Sequence, residues 1–389
     1  MALAALVLVT ALWPLPTLVD AVTGSPPGDA ELVRPLAYVV LAPLSDVLDA
    51  LTFLTLDRAR ALVLVWGLGL GAWGAFRPGR LRLRVGRALV GPLVLVALAG
   101  AAVVLPRPVP RLASADASAT VIDYHAHTDA SGDARAGWTA DDLAHWHAAQ
   151  GFEAAYVTDH NIIFDRRGEE PIRLLPGVEW SVYHLHVVAL GAVRPIERDR
   201  YSHDAPSLLK LFTELDREGA MGIASLPEYW RNHWDTLDAL VAAGVDGFEI
   251  VNCAPKGLAL PGAARRRVLE LAARHDLMVT GASDNHGWGK ATCVWNLAHP
   301  SEHGYQANHV LARSLALAQG DSPPWTAALT QGWLMFRNLS WSERASWLTW
   351  ILLVLIVASM PRRQGERPSL GLLARTLSLR SVFARPQGS

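Results

Sequence analysis

Four short segments of the chain place histidine and acidic residues in patterns that suit a metal cluster. They are Asp123-Tyr124-His125-Ala126-His127, Thr158-Asp159-His160-Asn161, Pro176-Gly177-Val178-Glu179 and Ser283-Asp284-Asn285-His286. In an extended segment, side chains two residues apart point to the same face, so His125 and His127 can bind one ion together. Imidazole and carboxylate groups are the ligands that Zn, Mn and Fe sites use. The pattern therefore predicts a site for one to three divalent metal ions.

Apolar, strand-like runs precede these segments and alternate with helical patterns. The predicted strands are VIDYH, AAYVTD, RLLPGVE, HVVALG, MGIAS, GFEIVN and LMVTGAS, and the predicted helices cover Thr139–Gln150, Pro206–Glu218, Trp234–Ala243 and Gly262–His275. This alternation is typical of an α/β parallel sheet or barrel, in which side chains at the C-terminal strand ends collect on one face. Thr139, followed three residues later by Asp142, predicts a capping box at the start of the first of these helices.

The order and wording of the four motifs resemble the PHP superfamily, the polymerase and histidinol phosphatase hydrolases, over roughly residues 119–300. The resemblance implies a distorted (β/α)7 TIM-like barrel of the PHP type, with metals at its C-terminal mouth that activate water to hydrolyse phosphoesters. By motif matching, the implied ligands of one metal are His125, His127, Glu179 and Asp284. Glu179 would bridge to a second metal that also takes His186, while His160 and His286 would bind a third.

One segment departs from the pattern of that family. Where the family usually has a His-Pro pair, this chain has Leu226-Pro227, and leucine cannot bind a metal. His184 lies on the same face of its predicted strand as His186 and can replace the missing imidazole, and Glu228 can contribute a carboxylate. The alternatives are a compensated site with several metals, a reduced site that is still hydrolytic, and a binding domain without turnover.

Several other residues are candidates for catalytic or supporting roles. Arg231 and Lys290 are cations that can stabilise charge on a phosphoryl group, although each can also be a solvated loop charge. Asp159 can orient His160 or bind metal directly, and Asp133 is a further possible ligand for the third metal. Asp123 is expected to steady a ligand histidine by a hydrogen bond.

Apolar runs outside this region predict membrane helices. The chain of 389 residues has charge-free apolar segments at Ala61–Phe76, Ala88–Leu105 and Ser346–Met360, each near the short end of what a membrane crossing needs. Met1–Val22 is interpreted as an uncleaved membrane segment, and Leu36–Leu56, which contains Asp46 and Asp49, as either a span or a re-entrant piece. Four or five crossings are therefore both open.

Arginine distribution predicts the orientation in the membrane. The two clusters are Arg77, Arg80, Arg82, Arg84 and Arg87, then Arg362, Arg363, Arg367, Arg375, Arg380 and Arg385. Both flank apolar runs, so the positive-inside rule places them in the cytoplasm and the metal domain between them outside it. The predicted order is a membrane region (1–105), a linker (106–118), the PHP-like hydrolase domain (119–321), a tryptophan-rich juxtamembrane segment (322–344), a transmembrane helix (345–361) and a basic tail (362–389).

The sequence thus predicts an integral membrane protein of the cell or inner membrane, a metal-dependent phosphoesterase acting outside the cytoplasm. Its expected partners are the membrane and a small phosphorylated substrate such as a lipid head group. A formal charge of −1 argues against a nucleic-acid partner. An amidohydrolase-like reaction and a sensory PHP-like domain are alternatives, and the oligomeric state stays open. The two cysteines, Cys253 and Cys293, are expected to be buried free thiols, with a disulfide as the alternative.

Overall fold

A computed structural model describes residues 2–164, 171–182, 185–192, 194, 201, 204–228, 236–289, 291–302, 304–318, 320 and 322–360. The chain divides into two compact units, Met1–Leu348 and Thr349–Ser389. Within the described residues the strands are β1 (Leu18–Asp20), β2 (Ala30–Val33), β3 (Arg111–Ser114), β4 (Thr120–Ala126), β5 (Ala154–Val157), β6 (Arg173–Val182), β7 (Leu185–Leu190), β8 (Met221–Ser225), β9 (Gly247–Asn252), β10 (Leu258–Ala259), β11 (Met278–Ala282), β12 (Val294–Ser301) and β13 (Gly304–Arg313).

The helices in the same residues are α1 (Ala2–Val9), α2 (Leu36–Val40), α3 (Ala42–Thr52), α4 (Leu56–Phe76), α5 (Leu81–Val104), α6 (Ala140–Ala149), α7 (Ala205–Glu218), α8 (Leu237–Ala242), α9 (Gly262–His275), α10 (Ser314–Leu317), α11 (Pro324–Arg337) and α12 (Trp341–Ser359). All seven predicted strands form, and the predicted helices correspond to α6, α7, α8 and α9. At the start of α6 the Thr139 hydroxyl accepts from the Asp142 amide at 3.2 Å, and Asp142 accepts from the Thr139 amide at 3.1 Å. The predicted capping box is confirmed.

The main sheet has eleven strands of mixed direction, in the order β1-β13-β12-β4-β5-β6-β7-β8-β9-β10, with β11 beside β9. Strands β4, β5 and β6 are parallel, as are β8, β9 and β11, but β7 is antiparallel to both β6 and β8. The expected uniform parallel arrangement is therefore wrong at β7. Only two residues separate β6 from β7, which is too short for the crossover that a parallel pair needs.

The sheet curls back towards its own middle beside the metal candidates. After β11, the Asp284 amide donates to the His125 carbonyl at 2.9 Å, and the His127 amide donates to the Asn285 carbonyl at 3.0 Å. A buried apolar cluster shared by β4, β5, β7 and β8 stabilises this curvature and includes Ile122, Tyr124, Tyr156, Val188 and Ile223. The fold is thus a curled α/β sheet. The strand pairing in the described residues confirms this part of the prediction but does not confirm a (β/α)7 barrel.

In the part of the chain that the structure describes, three helices, α4, α5 and α12, are long and apolar enough to cross a membrane. The N-terminal prediction differs from the structure, because residues 1–22 contain the short helix α1 and then β1, which pairs with β13. Likewise, Leu36–Leu56 is not one span but the two short helices α2 and α3. The arginines of the predicted basic tail, residues 362–389, lie outside the described residues.

The two aspartates that made Leu36–Leu56 difficult to place in a membrane are buried within protein. Asp49 contacts Arg107 at 3.1 Å and Arg313 at 3.1 Å. Asp46 accepts hydrogen bonds from Tyr38 at 3.1 Å and Trp347 at 2.8 Å. These partners offset the cost of removing the carboxylates from water.

The cysteine prediction is wrong. Cys253 and Cys293 form a disulfide, which joins the residue after β9 to the residue before β12. The two cysteines are 40 positions apart in the sequence. Their proximity therefore follows from the strand arrangement of the sheet and not from any local sequence pattern.

Candidate metal centre

The four residues that the PHP resemblance assigns to one metal converge at the end of β4. The Nε2 atoms of His125 and His127 are 3.0 Å apart. Glu179 Oε2 lies 3.3 Å from each of these nitrogens, and Asp284 Oδ1 lies 3.2 Å from His127 Nε2 and 3.6 Å from His125 Nε2. All four side chains are buried or nearly so. One divalent ion can contact this whole set.

Asp284 reaches the cluster through an uncommon backbone conformation. Its φ of 44° lies in the left-handed region, which costs free energy for a residue with a side chain. The Asp284 amide donates to the His125 carbonyl of β4, and the Asn285 carbonyl accepts from the His127 amide just after β4, so this turn is held in place. Strain of this kind persists where the surrounding structure fixes it and is concentrated at functional sites.

A second group lies beside the first and is more open. His160 and His286 offer nitrogens within 4.8 Å of one another and of a His127 nitrogen. Asp133 Oδ2 is 3.2 Å from His160 Nε2 and 3.4 Å from His286 Nε2, so this exposed loop acid faces both imidazoles. The structure therefore brings together the three residues predicted for the third metal.

His186 contacts Glu179 from β7, and the altered segment follows β8. His186 Nδ1 lies 2.5 Å from Glu179 Oε1, on the side of the carboxylate away from the His125–His127 pair. Leu226 is buried with 1% exposure. Glu228 accepts a hydrogen bond from Lys256 at 3.0 Å, while His184 lies outside the described residues. Neither proposed replacement for the missing imidazole is therefore placed at the metal cluster by a described contact.

Hydrogen bonds on the far side of each ring select the nitrogens that face the cluster. His125 Nδ1 lies 2.9 Å from Glu249 Oε2, and His127 Nδ1 lies 2.8 Å from Ser131 Oγ. With a proton on each Nδ1 donated to these acceptors, each Nε2 keeps its lone pair for a cation. The two Nε2 atoms are the ones that converge with Glu179 and Asp284.

Sequence reasoning missed Glu249. Its Oε1 accepts from Ser225 Oγ at 2.6 Å and from Asn252 Nδ2 at 2.8 Å, so the carboxylate is fixed from both sides. A glutamate inside the apolar strand GFEIVN, where it must be buried, was the available signal. Glu249 is a positioning residue for His125.

Asp159 has different partners from those predicted, whereas Asp123 contacts a ligand histidine as expected. Asp159 accepts from the Thr128 amide at 2.7 Å and from Ser131 Oγ at 2.9 Å, so it acts on His127 through Ser131 and does not orient the His160 ring. Asp123 Oδ1 accepts from the backbone amide of His125 at 3.4 Å, and its Oδ2 lies 2.7 Å from Nε2 of His147, which the sequence prediction did not include. Both aspartates support the loops around the cluster without facing its centre.

The donor set fits a divalent cation. Both carboxylate oxygens of Glu179 and Oδ1 of Asp284 are buried, and the contacts described for them are to imidazole nitrogens. Burial raises the pKa of Glu179, but the adjacent His125 and His127 more than offset this and hold the pKa well below its usual range. Buried carboxylates that stay charged are costly unless a cation balances their charge.

Metal affinity is expected to rise with pH. Burial lowers the pKa of His127, but hydrogen bonds to Asp284 and Glu179 outweigh it and raise the pKa to about 9. A cation must displace the resulting Nε2 proton, so the apparent affinity should fall about tenfold per pH unit below 9 for each proton displaced. Calorimetric titration of the metal-free protein with Mn or Zn, in buffers of different ionisation enthalpy, measures both affinity and proton release. Constant affinity across this range would contradict the assignment.

A cavity of about 590 Å³ opens over the two groups. Its polar lining includes His160, His186, Asp284 and His286, with Lys256 and Trp288 nearer the opening. Lys256 is exposed, and the sequence prediction did not include it. The predicted cations Arg231 and Lys290 lie outside the described residues.

No family model matches this chain, and no curated protein matches it in sequence. Several solved structures are similar to parts of it. A protein of Bifidobacterium adolescentis, classed provisionally as a metal-dependent phosphoesterase, is 18% identical with a TM-score of 0.34, over 51% of this chain and 96% of that one. A lesion-specific endonuclease from Pyrococcus furiosus is 14% identical with a TM-score of 0.35, over 47% of this chain and 53% of that one. An amidohydrolase from Chromobacterium violaceum is 17% identical with a TM-score of 0.32, over 54% of this chain and 96% of that one.

Proposed function

We propose that this protein is a metal-dependent hydrolase that cleaves a phosphoester. The observation that carries the proposal is the convergence of two imidazole Nε2 atoms with the buried oxygens of Glu179 and Asp284 beneath an open cavity. A bound divalent ion supplies acidified water and polarises a phosphoryl oxygen. The proposed ligands are His125, His127, Glu179 and Asp284 for one ion, His186 with Glu179 for a second, and His160, His286 and Asp133 for a third.

The surrounding residues bind and orient the reactants. Glu249 and Ser131 fix the two central rings, so that little reorganisation is needed when the substrate binds. The Lys256 ammonium at the cavity opening attracts an anionic group, and its contact with Glu228 keeps it there. A phosphoester, which stays negatively charged, suits this environment better than a neutral amide. No described strand ends in a lysine, which is the marker expected for the amidohydrolase-like alternative.

We also propose that the metal domain lies outside the cytoplasm. The arginines between α4 and α5 favour a cytoplasmic position for that turn, which puts the opposite ends of both helices on the outer side. The disulfide between Cys253 and Cys293 supports the same side, because such bonds persist in oxidising compartments.

The test uses the full chain purified in detergent. Metal content is measured, and hydrolysis of 4-nitrophenyl phosphate and of a 4-nitrophenyl phosphodiester is followed with added Mn or Zn. We expect turnover of at least one ester, abolished in His125→Ala and retained in His145→Ala, which removes an exposed imidazole on α6. Bound metal without hydrolysis of either ester, or activity of His125→Ala equal to that of the unaltered protein, would overturn the proposal and favour a binding role.

A further inference from the structure

The cavity over the metal cluster has a second, apolar half built by the membrane-type helices. Its lining continues from the histidines onto α4 through Leu56, Ala59 and Val63, and onto α5 through Ala99 and Val103. These positions recur at helical spacing, so they form one stripe on each helix. The stripe on α4 extends for roughly 10 Å. A single cavity therefore joins a cation-binding end to an apolar channel.

The two halves are directly connected by hydrogen bonds. The Leu56 amide, at the start of α4, donates to the Pro255 carbonyl at 2.7 Å, and Pro255 lies beside Lys256 at the rim of the metal site. At the end of α5, the Thr52 hydroxyl of α3 donates to the Ala102 carbonyl at 3.4 Å. The end of α4 nearest the metal cluster is thus fixed to the loop after β9, and the corresponding end of α5 is fixed to α3.

The apolar stripe is only partly covered by the described protein. Leu56 is 41% exposed and Val103 is 42% exposed, although both line a cavity. Ala59, Val63 and Ala99 are half-buried and also line it. A small hydrophilic phosphate ester would leave the apolar stripe facing water. An alkyl chain bound against the stripe would remove its own apolar surface and that of the stripe from water.

We infer that the substrate is a lipid phosphoester, bound with its phosphate among the histidines and its alkyl chain between α4 and α5. The inference rests on the proposed phosphoesterase function and names the class of its substrate. Both helices are long and apolar enough to cross a membrane, so the stripe lies where the hydrocarbon layer would meet the domain. A lipid can then enter the cavity from the bilayer without passing its chain through water.

The reaction for a test ester is hydrolysis. The oxygen of water bonds to phosphorus, the bond from phosphorus to the aryl oxygen breaks, and 4-nitrophenolate leaves with the electron pair. The protons of the water pass to solvent or the leaving group, and the alkyl phosphate remains. Methyl, butyl and octyl 4-nitrophenyl phosphate carry the same leaving group and differ only in chain length, so differences in kcat/KM report binding of the chain.

The experiment measures kcat/KM for the three esters with the full chain in one detergent. We expect octyl to exceed methyl by at least about tenfold, because each buried methylene adds favourable transfer free energy. Ala59→Trp should lower the octyl-to-methyl ratio at least about tenfold by filling the channel. Leu68→Trp, on α4 but outside the cavity lining and 73% exposed, is the matched control and should leave the ratio unchanged.

The outcomes separate the two proposals. Equal kcat/KM for all three esters, or a ratio that Ala59→Trp does not change, would overturn the lipid inference while leaving the phosphoesterase intact. If Leu68→Trp abolished the chain-length preference as fully as Ala59→Trp does, we would attribute the preference to the detergent. That result would also overturn the lipid inference. Hydrolysis of 4-nitrophenyl phosphate but of none of these three diesters would also overturn the lipid inference. If neither 4-nitrophenyl phosphate nor any of the three diesters were hydrolysed with metal bound, the proposed function itself would have failed.

Discussion

Replacement of Glu179 by glutamine is expected to remove most of the bound metal and to lower kcat/KM by roughly a thousandfold or more. Glu179 Oε2 lies 3.3 Å from His125 Nε2, 3.3 Å from His127 Nε2 and 3.0 Å from His160 Nδ1. Its Oε1 faces His186 on the other side. Glutamine keeps the shape but removes the charge and turns one oxygen into a donor. The substitution therefore affects every metal position at once.

The measurement is metal content by elemental analysis together with kcat/KM on an aryl phosphate. Glu270→Gln is the matched control, since it makes the same chemical change on the exposed surface of α9. If Glu179→Gln kept its metal and lost less than about tenfold in activity, Glu179 would not be a shared ligand. The proposed cluster would then reduce to His125, His127 and Asp284.

The strands that hold the site were predictable, whereas their directions were not. Each predicted strand is an apolar run bounded by polar or glycine residues, which is a local signal. The pairing of β1 with β13 and of β12 with β4 joins segments far apart in sequence, and no local pattern encodes it. The same limit explains the N-terminus, where an apolar stretch was interpreted as a membrane segment although part of it is an edge strand.

At the site, the candidate ligands could be predicted from the sequence because clustered histidine and acidic residues are rare at strand ends. Their supporting residues were not, because a second layer of hydrogen bonds depends on the register between strands. Glu249 contacts His125 across 124 positions, and His147 contacts Asp123 from α6. Residues two apart on a helix diverge, so His145 and His147 cannot bind one ion together, but this spacing does not predict that His147 is buried.

Replacement of Asp49 by asparagine is expected to destabilise the fold by about 3–5 kcal/mol, because it leaves two buried guanidinium groups without their counter-ion. Asp49 is 1% exposed, and its partners Arg107 and Arg313 are 5% and 4% exposed. Thermal unfolding in detergent should show a Tm lowered by roughly 10 °C. Asp57→Asn is the matched control, since Asp57 pairs with Arg60 at the exposed start of α4 and should change stability by less than about 1 kcal/mol.

The consequence extends to the cavity, because these three side chains belong to the elements that position it. Asp49 is in α3, Arg107 lies three residues after α5 and Arg313 ends β13, so the network ties the C-terminal end of α5 to the sheet. Loss of this network should destabilise the apolar half of the cavity before it destabilises the metal-binding half. If Asp49→Asn lowered Tm no more than Asp57→Asn, the two arginines would have to reach water. The position of the helices would then depend on the apolar cluster of Leu54, Leu62, Ala327 and Ala328 and on the hydrogen bonds of Leu56 and Thr52.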